Sequence, residues 1–272
     1  MGLFFIFLII IIHQIKKSMK YYLISALFLA VLLTGCSSTL DTSNFSPDER
    51  LKYAIKLYDE KSYEEAVNEF QTIVLQYPGS KIVDDAQYYL GMTRYKRKEY
   101  ILAAFEFSKL IKNMPASEFV PTSQYMLADC YYLLSPMYSL DQKYTKKSIE
   151  EFQSFVDFFP TNEKVAEAEK KIVLLNEKLA EKAYNSAYIY EKLEYYIAAT
   201  MYCDVVIDTY HDTKFAPLAM NKKIYILIER KKTGDAVEEI DKFLEKYPND
   251  SNVETLKKLK TTLTTQTVTT KD

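Results

Sequence analysis

"YEEAVNEFQTIVLQYP", residues 63–78, carries Ala66, Phe70 and Ile73 at spacings of four and three and ends on Pro78. Those spacings put one small and two large apolar residues on a single helical face. The proline ends the unit, because it cannot continue the helix and biases the residue before it away from helical backbone. The template returns in "YILAAFEFSKLIKNMP" (100–115), "TKKSIEEFQSFVDFFP" (145–160), "YIAATMYCDVVIDTYH" (196–211) and "TGDAVEEIDKFLEKYP" (233–248). The small position is then Ala103, Ser148, Ala199 or Ala236, and the large residue four later is Phe107, Phe152, Cys203 or Ile240.

Each of these helices has a partner upstream. Ala54, Gly91 and Ala187 stand twelve residues before Ala66, Ala103 and Ala199, and Ile224 holds the same place before Ala236. Small residues on both helices of a hairpin let the two approach closely. The pattern resembles the tetratricopeptide repeat, a helix–turn–helix of about 34 residues, and predicts an all-α, right-handed superhelical solenoid of about five such hairpins over 47–260. The spacing breaks twice. About eight extra residues around "SPMYSLDQ" (135–142) expand the third turn. Residues 163–193, without proline or glycine and rich in helix formers, read as one long helix. Ser46 followed by Pro47 and by Glu49 reads as a capped helix start; "TTLTTQTVTTKD" (261–272) reads as a disordered tail.

The front of the chain has another character. Lys20, the apolar run from Tyr21 to Leu32, then Leu33-Thr34-Gly35-Cys36 look like a bacterial lipoprotein signal with its lipobox. Cleavage would follow Gly35, lipid would sit on Cys36, and residues 36–46 would be a polar tether. The apolar segment in 1–18 precedes a complete signal, which reads as a start assigned too early, with Met19 as the true first residue. Removing the leader, with Lys16, Lys17 and Lys20 and no acid, takes the formal charge from −2 to −5. That balance gives no basic footprint for nucleic acid.

Catalytic material is scarce. Beyond the leader there is one histidine, His211, and no glycine-rich phosphate loop. Neither a metal site nor a histidine-based triad can be assembled from that set, and we expect neither an enzyme nor a cofactor. The acid pairs Glu64-Glu65, Glu150-Glu151 and Glu238-Glu239 read as solvated first turns that complement the helix dipole. Cys130 and Cys203 fall in helical patterns and read as buried free thiols.

Surface is then where function would lie. Steps of three and four along the first helices give Ile55 and Tyr58, then Tyr88, Met92 and Tyr95, then Tyr125, Asp129 and Tyr132. Aromatic rings with polar tips on adjacent repeats suit a peptide-binding groove on the concave side; the competing reading packs these rings between hairpins. Tyr225, Arg230, Lys231 and Lys232, near the end of the solenoid, suit partner docking or a solubilising cap.

The lipobox, five repeats, expanded third turn and long helix together resemble the BamD family of the outer-membrane β-barrel assembly machine. The most specific stretch is "LAEKAYNSAYIYEKLEYYIAATMYCDVVIDTYHDT" (179–213), supported by "SIEEFQSFVDFFPTN" (148–162). The chain departs at Glu194, where many members have glycine, and at His211, where they have proline. The resemblance implies a lipid-anchored protein on the periplasmic face of the outer membrane. It would dock a POTRA domain of the barrel protein BamA and other lipoproteins of that machine, and would accept unfolded outer-membrane proteins. The alternative is another periplasmic repeat lipoprotein organising Tol or cell-wall assemblies.

Overall fold

The structure is a computed structural model that describes Thr42 and residues 44–269. The leader, the lipobox with Cys36 and most of the tether lie outside the described residues. From Ser46 onward the described residues form one unit, built of helices joined by turns. The helices are α1 (Pro47–Asp59), α2 (Tyr63–Gln76), α3 (Val83–Lys96), α4 (Tyr100–Asn113), α5 (Val120–Leu134), α6 (Lys143–Phe158), α7 (Val165–Lys192), α8 (Tyr196–Thr209), α9 (Phe215–Glu229), α10 (Thr233–Lys246) and α11 (Val253–Thr269). Each packs on its neighbours in sequence, and α7 also touches α9. Five helical hairpins thus stack into a tetratricopeptide-like solenoid, closed by α11.

The small-and-large template builds the core. Ala66, Ala103, Ala199 and Ala236 are fully buried, as are Phe70, Phe107, Phe152 and Phe243. Gly91 belongs to the same logic: a Cβ there would stand 2.7 Å from the ring of Phe107. Only hydrogen lets α3 lie that close to α4. Ser148, in the small position of the third hairpin, donates its hydroxyl to the carbonyl of Ala128 at 3.0 Å. Cys130 and Cys203 are buried and free; burial pushes the Cys203 thiol up to about 12.

Four of the five hairpin turns are made the same way. Lys61, Lys98, Glu194 and Lys231 sit in left-handed backbone, with φ of 64°, 62°, 62° and 57°. Around Lys61 the amide of Ser62 returns to the carbonyl of Leu57 and that of Lys61 to Tyr58. This is the doubly bonded helix end that glycine normally occupies. Glu194 is therefore at a position where glycine avoids a strain of about 1–2 kcal/mol. The third hairpin, with its expanded turn, is the exception.

Ser46 caps α1 as the sequence predicted, accepting from the amide of Glu49, whose carboxylate accepts from the Ser46 amide at 2.9 Å. The long helix is also present, as α7, 28 residues. Two expectations need correction. Residues 261–269 continue α11 instead of beginning a disordered tail; Leu263 is buried against the last hairpin, which holds that turn helical. The acid pairs are not wholly solvated either. Glu239 is buried and pairs with Lys223 at 3.2 Å, and Glu151 takes the Gln124 amide on its carboxylate at 2.8 Å. In these two pairs the second acid meets a polar partner from the first helix of its hairpin, whereas Glu64 and Glu65 are both exposed.

Candidate functional site

The residues singled out as a groove stand on α3 and α5 and meet α7. Tyr95 donates its hydroxyl to Asp129 Oδ2 at 2.6 Å. Lys171 of α7 donates to Asp129 Oδ1 at 2.6 Å and to the Tyr125 hydroxyl at 2.7 Å. Tyr125 donates in turn to Glu167 Oε1 at 2.6 Å. The Lys171 ammonium also lies 5.3 Å from the centre of the Tyr132 ring, within cation–π range.

Charge and burial are matched here. Burial alone would lower the pKa of Lys171, but its bonds to Asp129 and Tyr125 outweigh that and hold it above the usual lysine range. Burial and the bond to Glu167 push Tyr125 up to about 12. The bonds from Tyr125 and Lys171 hold Glu167 down at about 2.

This arrangement corrects part of the groove. Tyr125 is 4% exposed and Asp129 7% exposed, so both are core residues with no face left for a peptide. Tyr125 is enclosed edge-on by Phe152 and Phe155. Tyr88, stacked 4.4 Å from Phe119, Met92, Tyr95 and Tyr132 are half-buried and keep an edge at the surface. Two of the tyrosine tips that suggested adaptable peptide contacts are already engaged, Tyr95 with Asp129 and Tyr125 with Glu167 and Lys171.

The second cluster lies at α9 and its turn. Tyr225 is exposed, Lys231 and Lys232 are exposed, and Lys232 donates to Asp235 at 3.0 Å. Arg230 is half-buried. It lines a cavity of about 590 Å³ with Tyr195, Ile197 and Met201 of the α7–α8 turn and α8. The sequence reading missed these apolar neighbours. Ile197 is 64% and Met201 62% exposed, and Tyr195 and Leu193 beside them are exposed too. Meanwhile Ala199, Cys203 and Val206 of the same helix are buried. Helix α8 is therefore apolar on both faces, a pattern that belongs to a covered helix. The signal was present in "YIAATMYCDVV" (196–206), where the outward positions are as apolar as the inward ones.

Among the described residues no group of three His, Cys, Asp or Glu is placed to hold a metal, and no helix is long and apolar enough to cross a membrane. His211 is exposed beside Asp212.

Comparison with known proteins bears on this geometry. The chain is similar to an outer membrane protein assembly factor, BamD, of Rickettsia prowazekii (strain Madrid E). The two are 28% identical over 194 residues, 70% of this chain and 77% of that protein. Among solved structures it is similar to a thermophilic tetratricopeptide-repeat protein of Thermus thermophilus, at 15% identity and a TM-score of 0.34, covering 80% of this chain and 98% of that one. A repeat protein of Parabacteroides merdae ATCC 43184 aligns at 12% identity and a TM-score of 0.36, covering 80% and 73%. Those structural overlaps are slight, and the fold rests on the hairpins themselves. A family model, YfiO, described as an outer membrane lipoprotein, matches residues 45–225, about two thirds of the sequence and four of the five hairpins. The chain belongs to this YfiO family of outer membrane lipoproteins.

Proposed function

We propose that the chain is a non-catalytic scaffold and substrate receptor of outer-membrane β-barrel assembly, anchored by lipid at Cys36 and facing the periplasm. The relative named as an assembly factor supports the process; the observation that carries the mechanism is the doubly apolar helix α8. Ile197, Met201 and Tyr195 around the Arg230 guanidinium form an apolar surface with a cation at its edge. That combination, aromatic and aliphatic anchors beside an arginine, is typical of the centre of a protein interface. Its occupant in this reading is a soluble POTRA domain of the barrel protein, contributing an apolar ridge and a carboxylate for Arg230. Lys231 and Lys232 lie at the rim, where they steer encounter more than they hold the complex.

The half-buried edges of Tyr88, Met92, Tyr95 and Tyr132 are what remains for holding extended substrate segments, with Asp129 and Lys171 fixing the rings from behind. A receptor for many unfolded barrels needs weak, sequence-tolerant contacts, and flat rings of fixed orientation supply them. The test is co-purification from membranes. Ile197→Asp with Met201→Asp should leave the helical circular dichroism unchanged and strip the barrel protein from the complex. Retention of the barrel protein by that variant would move docking away from α8.

A further inference from the structure

The expanded turn of the third hairpin does more than connect two helices. The other four hairpins reverse direction with a single left-handed residue, so the extra residues 135–142 are not needed for closure. They are nevertheless held firmly. The buried Gln142 side chain donates to the carbonyls of Met137, Tyr138 and Leu140 at 2.9, 3.2 and 3.0 Å, and accepts from Thr145. From the long helix, Lys178 donates to Ser135 Oγ at 2.8 Å and Lys182 to the carbonyl of Leu140 at 2.8 Å. What this fixed turn makes, with α6, α7 and α8, is a cavity of about 560 Å³.

Its walls and rim differ in character. Leu179, Ala183, Tyr202 and Val205 supply its apolar lining, the first two of them buried, and Lys143, Lys146 and Lys182 line it too, against the single carboxylate of Asp141. Lys143 and Lys146 are exposed. Among the described residues none of the three lysines forms a salt bridge. Lys143 and Lys146 are three apart on one helix, about 5–6 Å between Cβ atoms. Separate cations of this kind suit the separate carboxylates of a peptide, whereas a lipid phosphate concentrates its charge at one point.

We propose that this cavity is a second docking site, for an acidic linear segment of a partner protein. One bulky apolar side chain of the segment enters against Val205 and Leu179, and carboxylates on either side meet Lys143 and Lys146. The site uses the second half of α8 and is independent of the surface around Arg230, so either can fail without the other.

The probe is a fluorescein-labelled peptide, Glu-Asp-Trp-Asp-Glu flanked by Gly-Ser, titrated with the detergent-solubilised full chain and read by fluorescence anisotropy. Saturable binding is expected, weakened about tenfold or more, the equivalent of ~1.4 kcal/mol, by Lys143→Glu with Lys146→Glu. Val205→Trp, at an exposed position where the new ring fills the cavity, should abolish it, and replacing the peptide's Trp by Ala should weaken it. The proposal is overturned if the peptide fails to bind, if neither variant changes the affinity, or if dodecanoate binds this cavity and the peptide does not.

Discussion

Replacing Lys171 with methionine keeps most of the side-chain length and removes the charge that Asp129 faces. Besides its cation–π contacts, the wild-type ammonium makes three polar ones: Asp129 at 2.6 Å, the Tyr125 hydroxyl at 2.7 Å and Glu167 at 3.1 Å. The last is the least of them, since half of the Glu167 side chain is in water and such a pair contributes about 0–1 kcal/mol. Tyr125 keeps Glu167 as an acceptor. Asp129 is the problem: its side chain is 9% exposed, and without Lys171 only the Tyr95 hydroxyl is left to it. Removing one partner of a buried pair costs about 3–5 kcal/mol. The 18% exposure of Lys171 admits some water, so we expect about 2–4 kcal/mol of destabilisation. Asp129→Leu together with Lys171→Met should recover part of that loss, because no buried charge is then unpaired. Urea unfolding followed by circular dichroism measures both variants, and a change in midpoint at constant slope identifies a stability effect. A loss under about 1 kcal/mol for Lys171→Met, or a double variant weaker than the single one, would refute the reading of these residues as a buried network.

Two further outcomes follow from the same geometry. Glu167 has its pKa depressed to about 2 by Tyr125 and Lys171, so its contribution is complete above the ordinary carboxylate pKa near 4.5 and is lost as pH falls from there towards 2; Tyr125→Phe should flatten that part of the stability–pH curve, and an unchanged acid limb would contradict the assignment. Gly91→Val brings a branched side chain against Phe107, whose ring already lies 2.7 Å from where a Cβ would sit; we expect about 1–3 kcal/mol of destabilisation, and an unchanged unfolding midpoint would mean α3 and α4 are less tightly joined.

The fold was legible because its determinants repeat. Ala66, Ala103 and Ala199 recur in the same register with Phe70, Phe107 and Cys203, and five noisy copies of one signal amount to one strong signal. The turn expansion at 135–142 and the long α7 were legible as departures from that period. The tail was not: threonine runs carry little helical preference, and what holds the turn around Leu263 is its burial against the last hairpin, a tertiary contact. The groove was half legible. Spacing placed Tyr95, Tyr125 and Asp129 on one side of their helices, but it could not reveal that Lys171, 42 residues beyond Asp129, would reach back and draw Tyr125 and Asp129 into the core. The surface at Ile197 and Met201 was overlooked for the opposite reason: an apolar residue in a helix reads as core until the inward face is seen to be already full.

The most direct test of the central claim is the affinity of the purified chain for the soluble POTRA domains of the barrel protein, by isothermal titration. Wild-type protein should bind with an enthalpy and a stoichiometry of one. Ile197→Asp, Met201→Asp and Arg230→Glu combined should weaken binding by about a hundredfold, roughly the loss of two buried apolar anchors. Equal affinity for both proteins, or no binding by the wild type, would contradict the account.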